Sequence, residues 1–139
     1  MRTKKIAFTK DGAKLATNCT RIYTQTGKPL LILPSCDPEY KDLRYQDWEL
    51  AYSKTGKYLA EGSSWGELKL WNTNIGQLTM DKQELGNITA LSISENESFL
   101  AVGTDYVSLW DTENTSLIKN FYPGTGRIEY VGFETTTKY

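Results

Sequence analysis

The strongest constraint on this chain is a phrase that it contains twice. Leu68-Lys69-Leu70-Trp71-Asn72 returns 39 residues later as Val107-Ser108-Leu109-Trp110-Asp111. Both copies alternate apolar with polar residues, the period of a half-buried β-strand, and both close on a Trp followed by a short polar residue. Self-similarity at such a period marks stacked units of one supersecondary type. A unit this small cannot bury both of its apolar faces alone, so neighbouring units must cover them.

The rest of the chain keeps the same register. Phe8, Tyr52, Ile93 and Phe133 lie 44, 41 and 40 residues apart, and Leu15, Leu59 and Leu100 lie 44 and 41 apart. Each pair keeps its strand parity, so each unit turns the same side chain to the same face. The first unit reads as strands over Ile6–Thr9, Lys14–Asn18, Thr20–Tyr23 and Leu30–Leu33, with turns at Lys10-Asp11-Gly12 and Gln25-Thr26-Gly27-Lys28. The second places strands at Leu50–Ser53, Tyr58–Gly62, the stretch ending at Trp71, and one from Leu78. The third places them at Leu91–Ser94, Phe99–Gly103, the stretch ending at Trp110, and Leu117–Phe121. A fourth unit starts at Tyr130-Val131-Gly132-Phe133. No segment carries helical spacing with caps.

This phrasing resembles that of WD40-repeat β-propellers, and the resemblance covers essentially the whole chain. A Leu-Ala-x-Gly strand followed by a strand closing on Trp-Asp is clearest as Leu100-Ala101-Val102-Gly103 with Trp110-Asp111. It recurs as Leu59-Ala60-Glu61-Gly62 with Trp71-Asn72, and most weakly as Leu15-Ala16-Thr17-Asn18 with Tyr23-Thr24. The resemblance implies an all-β fold of four-stranded antiparallel blades, about three blades plus one extra inner strand. The single segment 1–139 then divides into blades over 4–33, 48–83 and 88–122, with the start of a fourth over 128–134. The family's blades usually carry a His that joins a buried network with a Ser or Thr, an Asp and the Trp. This chain has no His. Trp71, Trp110, Asp105, Asp111, Ser63 and Thr104 resemble parts of that pattern, and the Trp ring nitrogens need other partners.

Catalysis finds little footing. Without His there is no Ser-His-Asp or Cys-His arrangement and no His-based metal site. Cys19 and Cys36 stand seventeen apart, which is not a zinc spacing, and two cysteines imply no disulfide framework. Asp11, Glu95, Glu97, Asp111 and Glu113 fall in turns, as solvated acids do. Glycines stand singly, with no phosphate-cradling loop. The expectation is a non-enzyme with no cofactor and no metal. Sixteen basic and seventeen acidic side chains give a net charge of −1, which argues against nucleic acid and an anionic membrane as partners. The basic start, Met1 to Lys5, leads into no apolar run of signal type, and no run has membrane-spanning length. The reading is therefore an intracellular protein, cytoplasmic or nuclear.

The resemblance also places two sets of loops at one end of the disc, those joining blades and those joining a blade's second and third strands. The stretch 34–47 is enlarged, and Ser63-Ser64-Trp65-Gly66 carries a Trp where the family commonly has Asp-Gly. Tyr40, Arg44, Tyr45 and Trp65 are residue types that make contact hot spots. Either they bind a partner protein or peptide, or they pack on each other as a roof. The expected role is a non-catalytic interaction scaffold. The alternatives are a regulatory or sensor propeller of a larger protein, and an RNA- or chromatin-associated propeller, which would need a basic face. Three blades fall short of a ring of 4–8. Continuation into further blades or self-association is therefore expected.

Overall fold

The computed structural model describes residues 6–17, 21–32, 48–124 and 126–134. Twelve strands form among them: β1 (Ile6–Phe8), β2 (Lys14–Thr17), β3 (Arg21–Thr24), β4 (Pro29–Ile32), β5 (Trp48–Tyr52), β6 (Tyr58–Ser63), β7 (Leu68–Asn72), β8 (Gln77–Lys82), β9 (Ala90–Ile93), β10 (Phe99–Gly103), β11 (Val107–Asp111) and β12 (Leu117–Phe121). They make three four-stranded antiparallel sheets in simple meander order, β1 to β4, β5 to β8 and β9 to β12. No helix occurs among the described residues.

The expected register is the observed one. Phe8 pairs with Leu15, Tyr52 with Leu59 and Ile93 with Leu100, the same cross-strand pair in each blade. The closing aromatic is also equivalent each time. The ladder between third and fourth strands shifts register beside Tyr23, Trp71 and Trp110. Such a bulge bends the outer strand at the same point of every blade. The polar residue next to the aromatic holds the turn that follows. Thr24 Oγ1 accepts from the Lys28 N–H at 3.1 Å, Asn72 Oδ1 from Asn74 at 3.1 Å, and Asp111 Oδ1 from Glu113 and Asn114 at 2.9 and 2.8 Å.

The hairpin turn after each inner strand is likewise repeated. Gly12 N–H donates to Thr9 O, Gly56 to Ser53 O and Glu97 to Ser94 O, at 2.9, 2.9 and 2.8 Å. All three third-position residues have positive φ: 73° at Gly12, 82° at Gly56 and 64° at Glu97. Gly takes that conformation freely, whereas a residue with a Cβ is strained there. Glu97 nonetheless occupies it, and its side chain crosses to blade 2. Thr55 Oγ1 donates to both carboxylate oxygens, at 2.8 and 2.9 Å, and Ser53 Oγ donates to Oε2. Beside it Glu95 is held by Lys10 and Lys54 at 2.9 and 3.1 Å, which ties turns from all three blades together.

The inner strands β1, β5 and β9 are neighbours, so the sheets stack face to face around one side. Strand alternation then divides blade 2 between two cores. Leu59 and Trp71 meet Ala16 and Ile22 of blade 1. Tyr58, Ala60, Leu68, Leu70 and Met80 meet Leu100, Val102 and Trp110 of blade 3, with Ile88. Every residue of β6 is buried because both of its faces are covered. Each fully buried Leu contributes roughly 1.5–3 kcal/mol.

One expectation is corrected. Residues 128–134 begin in the right place but form no strand. Ile128 packs against Gly103 as Ile88 packs against Gly62, where an added Cβ would lie 2.7 and 2.5 Å from the isoleucine. The Ile128 N–H donates to Thr104 O at 2.7 Å, matching Ile88 to Ser63 O at 3.2 Å. Beyond that point a fourth inner strand would need its own second strand, and no described residue supplies one. Three blades are formed, without a fourth inner strand among the described residues.

Candidate functional site

The loop end of blade 2 is built on Ser63. Its hydroxyl accepts from the Trp65 and Glu67 N–H groups at 3.3 and 3.2 Å, and its carbonyl accepts from Gly66 at 3.1 Å. Ser and Thr favour such turns because the side chain supplies the local acceptor. The connection from β8 to β9 crosses this turn, with the Leu85 N–H donating to Gly66 O at 3.2 Å. A Cβ on Gly66 would stand 2.8 Å from Leu85 N, so Gly lets the two segments touch. The turn and the crossing segment leave the Trp65 side chain 58% exposed.

The stretch 34–47 lies outside the described residues, and Tyr40, Arg44 and Tyr45 with it; so do Cys19 and Cys36. The chain re-enters at Trp48, whose backbone pairs with Ser63 at the foot of the Trp65 turn. At the corresponding turn of blade 3, Tyr106 stacks on Tyr122 with ring centroids 5.2 Å apart and planes tilted by 34°. Tyr122 is exposed. This aromatic pair escaped the sequence reading, although alignment of the two turns sets Tyr106 close to the place of Trp65.

The two repeat tryptophans find different partners. Trp71 Nε1 donates to Glu61 Oε1 at 2.9 Å, and Glu61 is only 2% exposed. Trp110 Nε1 donates to Ser108 Oγ at 3.0 Å. Ser63 and Thr104 serve their own turns instead, Thr104 donating to Tyr106 O at 3.3 Å. Asp105 is exposed and, among the described residues, makes no bond to Trp110. Asp111 caps a turn. A buried Glu on the neighbouring strand and a Ser two residues earlier on the same strand thus satisfy the two indole N–H groups. Glu61 could have been read from parity, since it lies on the Trp71 face across from Lys69.

Among the described residues no cluster of three metal-ligating side chains forms, and no helix is long and apolar enough to cross a membrane.

No family model matches the chain, and no curated protein matches it. Solved structures do. A structure of RRP9 WD40 repeats superposes with a TM-score of 0.72 at 16% identity, over 91% of this chain and 40% of that one. A structure of U3-55K gives 0.71 at 16%, over 91% and 41%. Hydrazine synthase from Kuenenia stuttgartiensis gives 0.71 at 13%, over 90% and 37%. The fold is that of WD40-type propeller blades, all-β and antiparallel. The chain spans about 40% of the length of the WD40 structures that it matches.

Proposed function

We propose that this chain is a non-catalytic scaffold that binds a partner protein or peptide at the loop end of its second blade. The observation that carries this reading is Trp65. A large aromatic ring stands well exposed on a turn braced by Ser63, Gly66 and the 83–88 crossing, on a sheet covered on both faces. Rigid aromatic anchors of this kind dominate binding energy in protein interfaces. Tyr45, Arg44 and Tyr40 join the surface in this proposal, since their stretch ends at the foot of the same turn. WD40 neighbours support a protein-interaction role in general. The fold alone does not decide against catalysis, as the hydrazine synthase neighbour illustrates. The proposal rests there on the absence of His and on turn-bound acids.

The experiment is affinity capture with Trp65→Ala beside Tyr45→Ala, with melting measured on both. A contact role leaves the melting temperature nearly unchanged and weakens capture by about 2 kcal/mol or more. A large stability loss with capture intact would return Trp65 to a packing role.

The open end faces favour a second element of the proposal. Ile6 and Phe8 on blade 1 are exposed, whereas their register counterparts on blade 2, Leu50 and Tyr52, pack against a core. Val107 and Leu109 on blade 3 are half-buried, whereas Leu68 and Leu70 on blade 2 are fully buried. We take further blades, in the same polypeptide or in another copy, as the setting in which this segment works.

A further inference from the structure

We propose that the loop end of blades 2 and 3 takes a basic partner, an extended peptide segment whose Lys or Arg side chains stack on Trp65 and on the Tyr106–Tyr122 pair. The inference rests on the Trp65 contact surface proposed above and adds the chemistry of its occupant. Two observations carry it, the placing of the aromatic side chains and the sign of the charge around them.

The two aromatic turns share one connection. The Leu85 N–H donates to Gly66 O at 3.2 Å, beside Trp65. The Thr89 N–H donates to Gly103 O at 2.9 Å, where the Thr104–Tyr106 turn begins. Leu85 and Thr89 are four residues apart in the chain, so these two anchors stand at most about 14 Å from each other. An extended segment of about five residues spans that distance. Trp65 is exposed at one end of it. At the other end Tyr106 stacks on the exposed Tyr122.

Carboxylates lie on the same turns. Glu67 closes the Trp65 turn, its N–H donating to Ser63 Oγ at 3.2 Å. Glu84 immediately precedes Leu85, Asp105 immediately precedes Tyr106, and both acids are exposed. Among the described residues no cation pairs with these three acids; Lys10 and Lys54 pair with Glu95, at the hairpin-turn end. Glu129 adds a further negative charge next to Ile128, whose N–H is bonded to Thr104 O. The described cations at this end are Arg127 and Lys82, and Lys82 lies over the Trp110 ring at 5.9 Å. The balance is negative, and the sequence of 34–47, with four acids against two bases, has the same sign.

A cation is the group that both features favour. The quadrupole of a Trp or Tyr ring draws an ammonium or guanidinium to its face. Neighbouring carboxylates add an attraction that a neutral segment lacks, and an acidic segment would meet like charge.

The test titrates the whole chain into two short fluorescein-labelled peptides, one alternating Lys with Ala and the other Glu with Ala, read by anisotropy. The expected result is saturable binding of the Lys peptide that weakens as salt is raised, and none of the Glu peptide. Trp65→Ala weakens the binding about tenfold or more, and so does the pair Glu84→Lys with Asp105→Lys. Glu84 and Asp105 are exposed and outside both cores, so the paired variant keeps its melting temperature. A control pair, Glu113→Lys with Glu134→Lys, makes the same change of charge on exposed residues at the hairpin-turn end and leaves affinity unchanged. Absence of saturable binding overturns the proposal, as does equal binding of the Glu peptide. An equal loss from the control pair overturns it too, since the attraction would then be to overall charge alone. A loss confined to Trp65→Ala overturns the basic partner and leaves the Trp65 contact standing, whereas a loss confined to the Glu84 and Asp105 pair overturns both.

Discussion

The contact between blades 1 and 2 and the contact between blades 2 and 3 are built to one plan but not to one strength. Among the described residues, the first rests on four buried side chains, Ala16, Ile22, Leu59 and Trp71, of which blade 1 contributes the two smaller ones. The second buries nine and adds the Glu97 clasp from the hairpin turn. Lys10 does reach Glu95 from blade 1, but an exposed ion pair is worth roughly 0–1 kcal/mol. The difference teaches that a repeated backbone register fixes where faces meet, while the side chains at those positions decide how firmly. Blades 2 and 3 form the platform, and the Trp65 and Tyr106 turns both stand on it.

The largest expected effect is in the stronger core. Leu100→Ala removes a fully buried side chain between blades 2 and 3 and should cost about 3–5 kcal/mol in denaturant unfolding. Leu59→Ala, equally buried but in the smaller cluster, should fall lower, at about 2–3 kcal/mol. Equal losses would break the comparison.

The tryptophans sharpen it next. Trp71→Phe takes one donor from a buried carboxylate, whereas Trp110→Phe takes one from a hydroxyl. Removing a partner from a buried charge costs more than removing one from a neutral group. Thermal melts should show Trp71→Phe as the more damaging, by about 1 kcal/mol.

Glu97 comes third. Glu97→Ala keeps the unfavourable positive φ and loses the clasp, whereas Glu97→Gly loses the clasp but relieves the strain. Glycine should therefore be the milder substitution by about 1 kcal/mol. Should alanine prove milder, the strain argument at this turn fails.

Much of this was legible in the residues. The pairs Phe8–Leu15, Tyr52–Leu59 and Ile93–Leu100 follow from alternation and spacing, because parity leaves a strand no choice of face. The Trp65 turn was visible as a Trp in a Ser-rich bend, though its surroundings at 34–47 lie outside the described residues. Three things were less legible. The strand expected over 128–134 satisfies the spacing, but spacing does not provide a pairing partner. Glu61 looked like the variable position of Leu-Ala-x-Gly, and only the cross-strand diagonal reveals it as the acceptor for Trp71. Glu97 read as a solvated turn acid, and its role appears only when it is set on Gly12 and Gly56.

The smallest effect concerns pH. Burial holds the Tyr52 hydroxyl above its ordinary value of 10.0, opposed in part by a hydrogen bond with Thr73. The folded state then keeps this proton more tightly than the unfolded chain does. Its contribution is complete below pH 10 and fades as pH rises past that point. Tyr52→Phe should flatten the alkaline edge of a stability–pH curve, and an unchanged edge would discount the residue.

The unequal stack is tested most directly by native-state hydrogen exchange resolved by strand. The account predicts that amides of β5–β12 open together near the global unfolding free energy. Those of β1–β4 should open at a cost lower by about 2 kcal/mol or more, since few buried contacts among the described residues tie that sheet down. Uniform protection across the three sheets, or β9–β12 opening before β1–β4, would contradict it.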